Sequence, residues 1–128
     1  IAFSVIKSSS KLIVNFLKHR HLSVTMNPVL IISTYPNKKL ILKIAHDLVK
    51  NKIVACVHIS KIDSVYSWNN KIQNSAEYIA IFKTVTKNKS KLKKEIAETH
   101  PYDVPEIAEI DVTSINKSYL NWLIESTN

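Results

Sequence analysis

The chain has 128 residues, 45% of them apolar and 22% charged, with no glycine and one cysteine, enough to bury one hydrophobic core and hardly two. Without glycine it has no G-x-G-x-x-G or G-x-x-x-x-G-K-[ST] phosphate loop and no G-x-S-x-G nucleophile elbow, whose turns need positive φ or close backbone approach. The net charge of +8 is uneven: Lys7, Lys11, Lys18 and Arg20 precede residue 26 with no acid among them, leaving residues 26–128 with 14 basic and 10 acidic side chains, a net of +4, too mild for a nucleic-acid footprint.

Lone Cys56 excludes an internal disulfide, a C-x-x-C motif and a multi-cysteine zinc site, and points to the cytosol. The only methionine, Met26, stands at the composition break and reads as the functional start. Residues 1–25 are basic, Ser-containing and acid-free, a composition shared with transit peptides, but an over-extended reading frame or a disordered tail is the preferred expectation. Their longest apolar run, Leu12 to Val14, is far too short for a membrane span, so no membrane partner is expected.

Val29 to Thr34 is a β-branched apolar run between Pro28 and Pro36 and predicts a buried strand. Asn37 is placed to cap a helix over 38–51, in which Leu40, Ile41, Ile44, Ala45, Leu48 and Val49 share one face. Ile53 to Ile59 predicts a second strand. Ser64 to Trp68, a two-residue turn at Asn69-Asn70 and Lys71 to Gln73 read as a hairpin, since Asn tolerates the left-handed conformation of such a turn. Glu77 to Thr86 alternates, with Tyr78, Ala80, Phe82 and Thr84 on one face; Glu77 and Lys83 are assigned to opposite faces. Lys89 to Thr99 predicts a helix with a narrow stripe at Leu92 and Ile96, stopped by Pro101. Ile107 to Val112 is a last strand, and Asn116 or Ser118 caps a short helix through Ile124. The order β-α-β-β-α-β plus a terminal helix implies an α+β, ferredoxin-like sandwich with an antiparallel sheet over residues 26–128.

Five segments in this order, Ala55-Cys-Val-His-Ile59, Tyr66-Ser-Trp-Asn-Asn-Lys71, Glu77-Tyr-Ile-Ala-Ile-Phe-Lys-Thr84, His100-Pro-Tyr-Asp-Val-Pro-Glu-Ile107 and Tyr119-Leu-Asn-Trp-Leu123, together resemble the CutA divalent-cation-tolerance family. The resemblance runs from about residue 29 to 125. It implies a homotrimer of ferredoxin-like subunits related in architecture to PII-type signalling proteins, with divalent metal binding and copper tolerance as its associations. The chain departs from the family pattern at Asn70, where glycine is expected, at Lys61-Ile62-Asp63, in a loop that commonly carries glycine, and at His58, which replaces an asparagine.

Cys56 and His58 are two apart on a predicted strand and share a face. A thiolate and an imidazole suit Cu2+ or Zn2+, and His100, in a loop, is the candidate third ligand; the competing reading makes Cys56 a small core residue and His58 a solvated or interface histidine. Tyr66, Trp68, Tyr102 and Trp122 supply amphipathic aromatic area for a ligand cleft or for subunit packing. Lys83, with His100 across a subunit boundary, would present positive charge to a small anionic ligand, as the PII-like resemblance implies. The chain lacks the glycines of an RNA-recognition signature, and its sole arginine, Arg20, lies outside the fold where an acylphosphatase-like phosphate site would need one. No acid, base and nucleophile lie close in sequence, so no enzyme and no catalytic residue are expected.

Overall fold

The computed structural model describes residues 26–128; the expectations for residues 1–25 lie outside it. Strand β1 (Pro28–Tyr35) leads through Pro36 to helix α1 (Lys38–Lys50). Asn37 caps this helix as expected, its side chain accepting the Leu40 N–H at 2.8 Å. Strands β2 (Cys56–Trp68) and β3 (Lys71–Val85) follow, then a 3-10 turn (Thr86–Asn88), helix α2 (Lys89–Thr99), strand β4 (Ala108–Asp111) and helix α3 (Lys117–Ser126). The sheet order is β2-β3-β1-β4, with every neighbouring pair antiparallel.

Side chains on one face of the sheet meet α1 and α2. Val29, Ile31 and Tyr35 from β1 and Ala80 and Phe82 from β3 are buried against Ile41, Ile44 and Leu48 of α1 and Leu92 and Ile96 of α2. Thr84 shares the burial; its hydroxyl donates to the Ile53 carbonyl at 2.7 Å. On the other face α3 builds a smaller core from Ala55, Val85, Leu123 and Ile124. Beyond α3's reach, Leu30, Ile32, Ile79 and Ile81 stay half-buried and Ile110 is exposed on that open face.

Several sequence expectations change, including the two expected strands Lys71 to Gln73 and Glu77 to Thr86, which are one, β3. Ile53 to Ala55 is a buried turn, and β2 runs unbroken from Cys56 to Trp68 through Lys61-Ile62-Asp63, where a loop was expected. The reason is the uninterrupted ladder with β3, from Cys56 opposite Lys83 to Trp68 opposite Lys71, which satisfies the backbone whatever the side chains are. Glu77 and Lys83, six residues apart, stand on the same face, because the side-chain period of a strand is two; they are roughly 20 Å apart along it.

Strand β1 pairs with β3 only from Tyr78 to Val85, so residues 62–68 and 71–77 project as a two-stranded ribbon with Val65, Tyr66, Trp68 and Ile72 exposed. Its turn residues Asn69 and Asn70 have φ of 51° and 60°, the left-handed pair of a type I′ hairpin.

Candidate functional site

The eight candidate residues fall into separate places. Cys56 and His58 share the open face of β2, as their spacing requires, opposite Lys83 and Ile81 of β3. Cys56 is half-buried and His58 exposed. Burial raises the Cys56 thiol's pKa, and the nearby Lys83 ammonium opposes this in part. Desolvation and then the Lys83 charge lower the pKa of His58, which favours the neutral imidazole that a metal needs.

Lys83 itself is turned to α3. Its ammonium donates to the Tyr119 hydroxyl at 3.3 Å and lies 5.2 Å from the centre of the Tyr119 ring. Tyr119 meets Trp122 with ring centres 5.2 Å apart. The structure therefore brings Lys83 and Trp122 into one group through Tyr119, which the sequence analysis placed only in the last family-like segment.

His100 lies elsewhere, at the far end of β1. Its ring stacks on buried Tyr35 at 4.3 Å and tilts over Tyr102 at 5.0 Å. Nε2 is 2.8 Å from the Thr34 carbonyl and 3.1 Å from Ser33 Oγ, while Nδ1 accepts the Tyr102 N–H at 3.1 Å. Tyr102 donates its hydroxyl to Glu77 at 2.8 Å; burial first, and then this hydrogen bond, hold its pKa above the ordinary phenol range. Desolvation lowers the pKa of His100, opposed by the Thr34 carbonyl and the Glu77 charge. Cys56 is level with Leu30 across β3, so His100, stacked on Tyr35, is roughly 17 Å farther along the sheet at a strand rise of about 3.3 Å per residue. The expected convergence of Cys56, His58 and His100 is not formed within the chain, and no group of three or more metal-ligating side chains occurs among the described residues.

The remaining aromatics lie on or beside the ribbon. Tyr66 faces Ser75, whose hydroxyl donates to Tyr66 Oη at 3.4 Å. Trp68 is exposed at the ribbon's end. Tyr66, Trp68, Lys83, Tyr102 and Trp122 thus do not line a common cleft within the chain.

The model of the CutA1 divalent ion tolerance protein family matches residues 29–126, spanning every element described above. The chain belongs to this family. The divalent-cation tolerance protein CutA of Pyrococcus horikoshii is 38% identical over 99 residues, 77% of this chain and 97% of that protein. The chloroplastic CutA protein of Arabidopsis thaliana is 34% identical over 132 residues, covering 98% of this chain and 72% of its own length. The crystal structure of CutA1 from Ehrlichia chaffeensis superposes with a TM-score of 0.77 at 35% identity, over 80% of this chain and 96% of that one. The fold is accordingly the ferredoxin-like one of CutA1.

Sequence reading did not foresee the role of Ser33, Tyr35 and Glu77 around His100 in this CutA1-family chain. Tyr35 is wholly buried, its pKa pushed up to about 12 by desolvation, and its hydroxyl lacks a hydrogen-bond partner among the described residues. The available signal was a serine and a tyrosine at alternate, inward positions of a strand otherwise apolar on its buried side.

Proposed function

We propose that this chain is a divalent-cation-binding protein of the tolerance type, acting as a homotrimer in the cytosol and performing no catalysis. The observation that carries the reading is the pairing of Cys56 and His58 on one open sheet face. Thiolate and imidazole are a donor set that selects copper first and zinc next. Two donors do not complete a site, so the others come from a second copy or from water. The half-buried apolar residues beside the pair, Leu30, Ile32, Ile79 and Ile81, and the ribbon's exposed Val65, Tyr66, Trp68 and Ile72 are surface that a trimer would cover.

The test is a copper and zinc titration of the unaltered protein beside Cys56→Ser and His58→Asn, with light scattering for the mass. A trimer whose copper affinity falls at least about tenfold in each variant supports the reading. Unchanged affinity in both removes the site, and a stable monomer at micromolar concentration removes the assembly. A second reading, a small organic anion held in inter-subunit clefts, is favoured by the half-buried ammonium of Lys83 against Tyr119, which in turn meets Trp122. It calls for a saturable fluorescence response to a nucleotide, lost in Lys83→Ala and kept in Cys56→Ser.

A further inference from the structure

We infer that His100 is a clasp that fixes the ribbon's base to the segment between α2 and β4, and that the clasp withholds this histidine from metal; the metal half of the inference rests on the copper site proposed above. A carbonyl oxygen only accepts, so the proton of the Thr34 contact belongs to Nε2. A backbone N–H only donates, so Nδ1 carries the lone pair that Tyr102 meets. The two contacts demand the same neutral tautomer, and neither leaves a nitrogen over. A metal ligand needs a lone pair, and the one this ring has is covered by an amide at 3.1 Å.

The ring is also held in its plane. Buried Tyr35 stacks on it and Tyr102 tilts against it. Tyr102 then passes the connection on, because its hydroxyl binds Glu77. Glu77 is the ribbon residue next to Tyr78, which forms the last β3 pair with β1 at Tyr35. The chain of contacts Thr34, His100, Tyr102, Glu77 therefore crosses the point where the ribbon leaves the sheet. These links in series reach the ribbon at one point, the Tyr102–Glu77 hydrogen bond, and that tether restricts the direction of a ribbon otherwise held only by its own two strands. His100 acts on the ribbon through Tyr102 and is a positioning residue.

The experiment compares the unaltered protein with His100→Ala and His100→Gln in two measurements, amide hydrogen exchange and copper titration. Glutamine supplies an amide NH2 donor and a carbonyl acceptor without a metal-binding imidazole. The expected result is exchange at least about tenfold faster at Tyr102 and at ribbon-base amides near Glu77 in His100→Ala, largely restored in His100→Gln, with unchanged copper affinity in both. Unaltered exchange in His100→Ala overturns the clasp. Copper affinity lost in both variants identifies His100 as a ligand and overturns the inference. If the unaltered protein binds no copper, the metal-site reading fails, and the exchange data alone decide the clasp.

Discussion

Replacing Lys52 with glycine should stabilise this glycine-free chain. Helix α1 ends with the Ile53 N–H donating to the Leu48 carbonyl and the Lys52 N–H to the Val49 carbonyl, each at 3.0 Å, the paired bonds of a Schellman motif. Ile53 and Leu48, which accompany them, are both buried. The motif places Lys52 at φ 58°, where a Cβ costs roughly 1–2 kcal/mol. Glycine removes that cost and adds roughly 0.5–1 kcal/mol of unfolded-state entropy. The net gain is about 0.5–1 kcal/mol, or a Tm rise of roughly 2–6 °C for a domain of this size. The Lys52 carbonyl, which accepts from Asn88 Nδ2 at 3.3 Å, is retained. Thermal and urea unfolding at one fixed protein concentration measure the effect, since association also contributes to stability. Lys52→Ala is the control: it loses the amine and keeps the Cβ, so its Tm should stay near that of the lysine protein. A glycine variant no more stable than the alanine one would refute the strain argument.

At the hairpin, Asn70→Gly should change stability by no more than a few tenths of a kcal/mol, whereas Asn70→Val should cost roughly 1–2 kcal/mol because a β-branched residue does not accept φ of 60°. Phe82→Ala, at a wholly buried position, should cost about 3–5 kcal/mol, read as a lower urea midpoint. His100 has a folded pKa below its unfolded value of 6.5, so its contribution is present above that pH and declines as pH falls from 6.5 toward the folded pKa; His100→Gln should flatten that part of the stability profile. Glu109 holds Lys89 and Lys93, and their hydrogen bonds lower its pKa below 4.5. Its contribution is present above that value and declines below it toward the folded pKa, so Glu109→Gln should remove that acid-side slope.

Elements whose signal was local were legible. The β1 run, the α1 face with its Asn37 cap and the α2 stripe at Leu92 and Ile96 depend on neighbours a few residues away. Strand continuity was not legible at Lys61-Ile62-Asp63, because two charged side chains look like a loop when the partner strand is unknown. In the structure these residues pair with Tyr78, Glu77 and Ala76. An edge strand with an exposed side accepts charge and even uses it against further pairing. The Asn69-Asn70 turn was legible for the opposite reason: its constraint is the backbone conformation of two residues, and asparagine advertises it.

The candidate site divides along the same line. Strand parity alone put Cys56 and His58 on one face, so that pair could be read without a fold. Joining His100 to it required knowing which end of the sheet the loop after α2 reaches, and sequence spacing carries no such information. A loop position and an imidazole made His100 a candidate third ligand; the structure engages both its nitrogens inside the chain. The partner groups are a carbonyl and an amide, which every residue possesses and which therefore leave no mark in composition. The one visible trace was polar character at Ser33 and Tyr35 in a strand otherwise apolar on its buried side. Buried polar groups need partners, so Ser33 signals that something polar must fold over that end of the strand. His100 does so at 3.1 Å and meets Tyr35 by ring stacking.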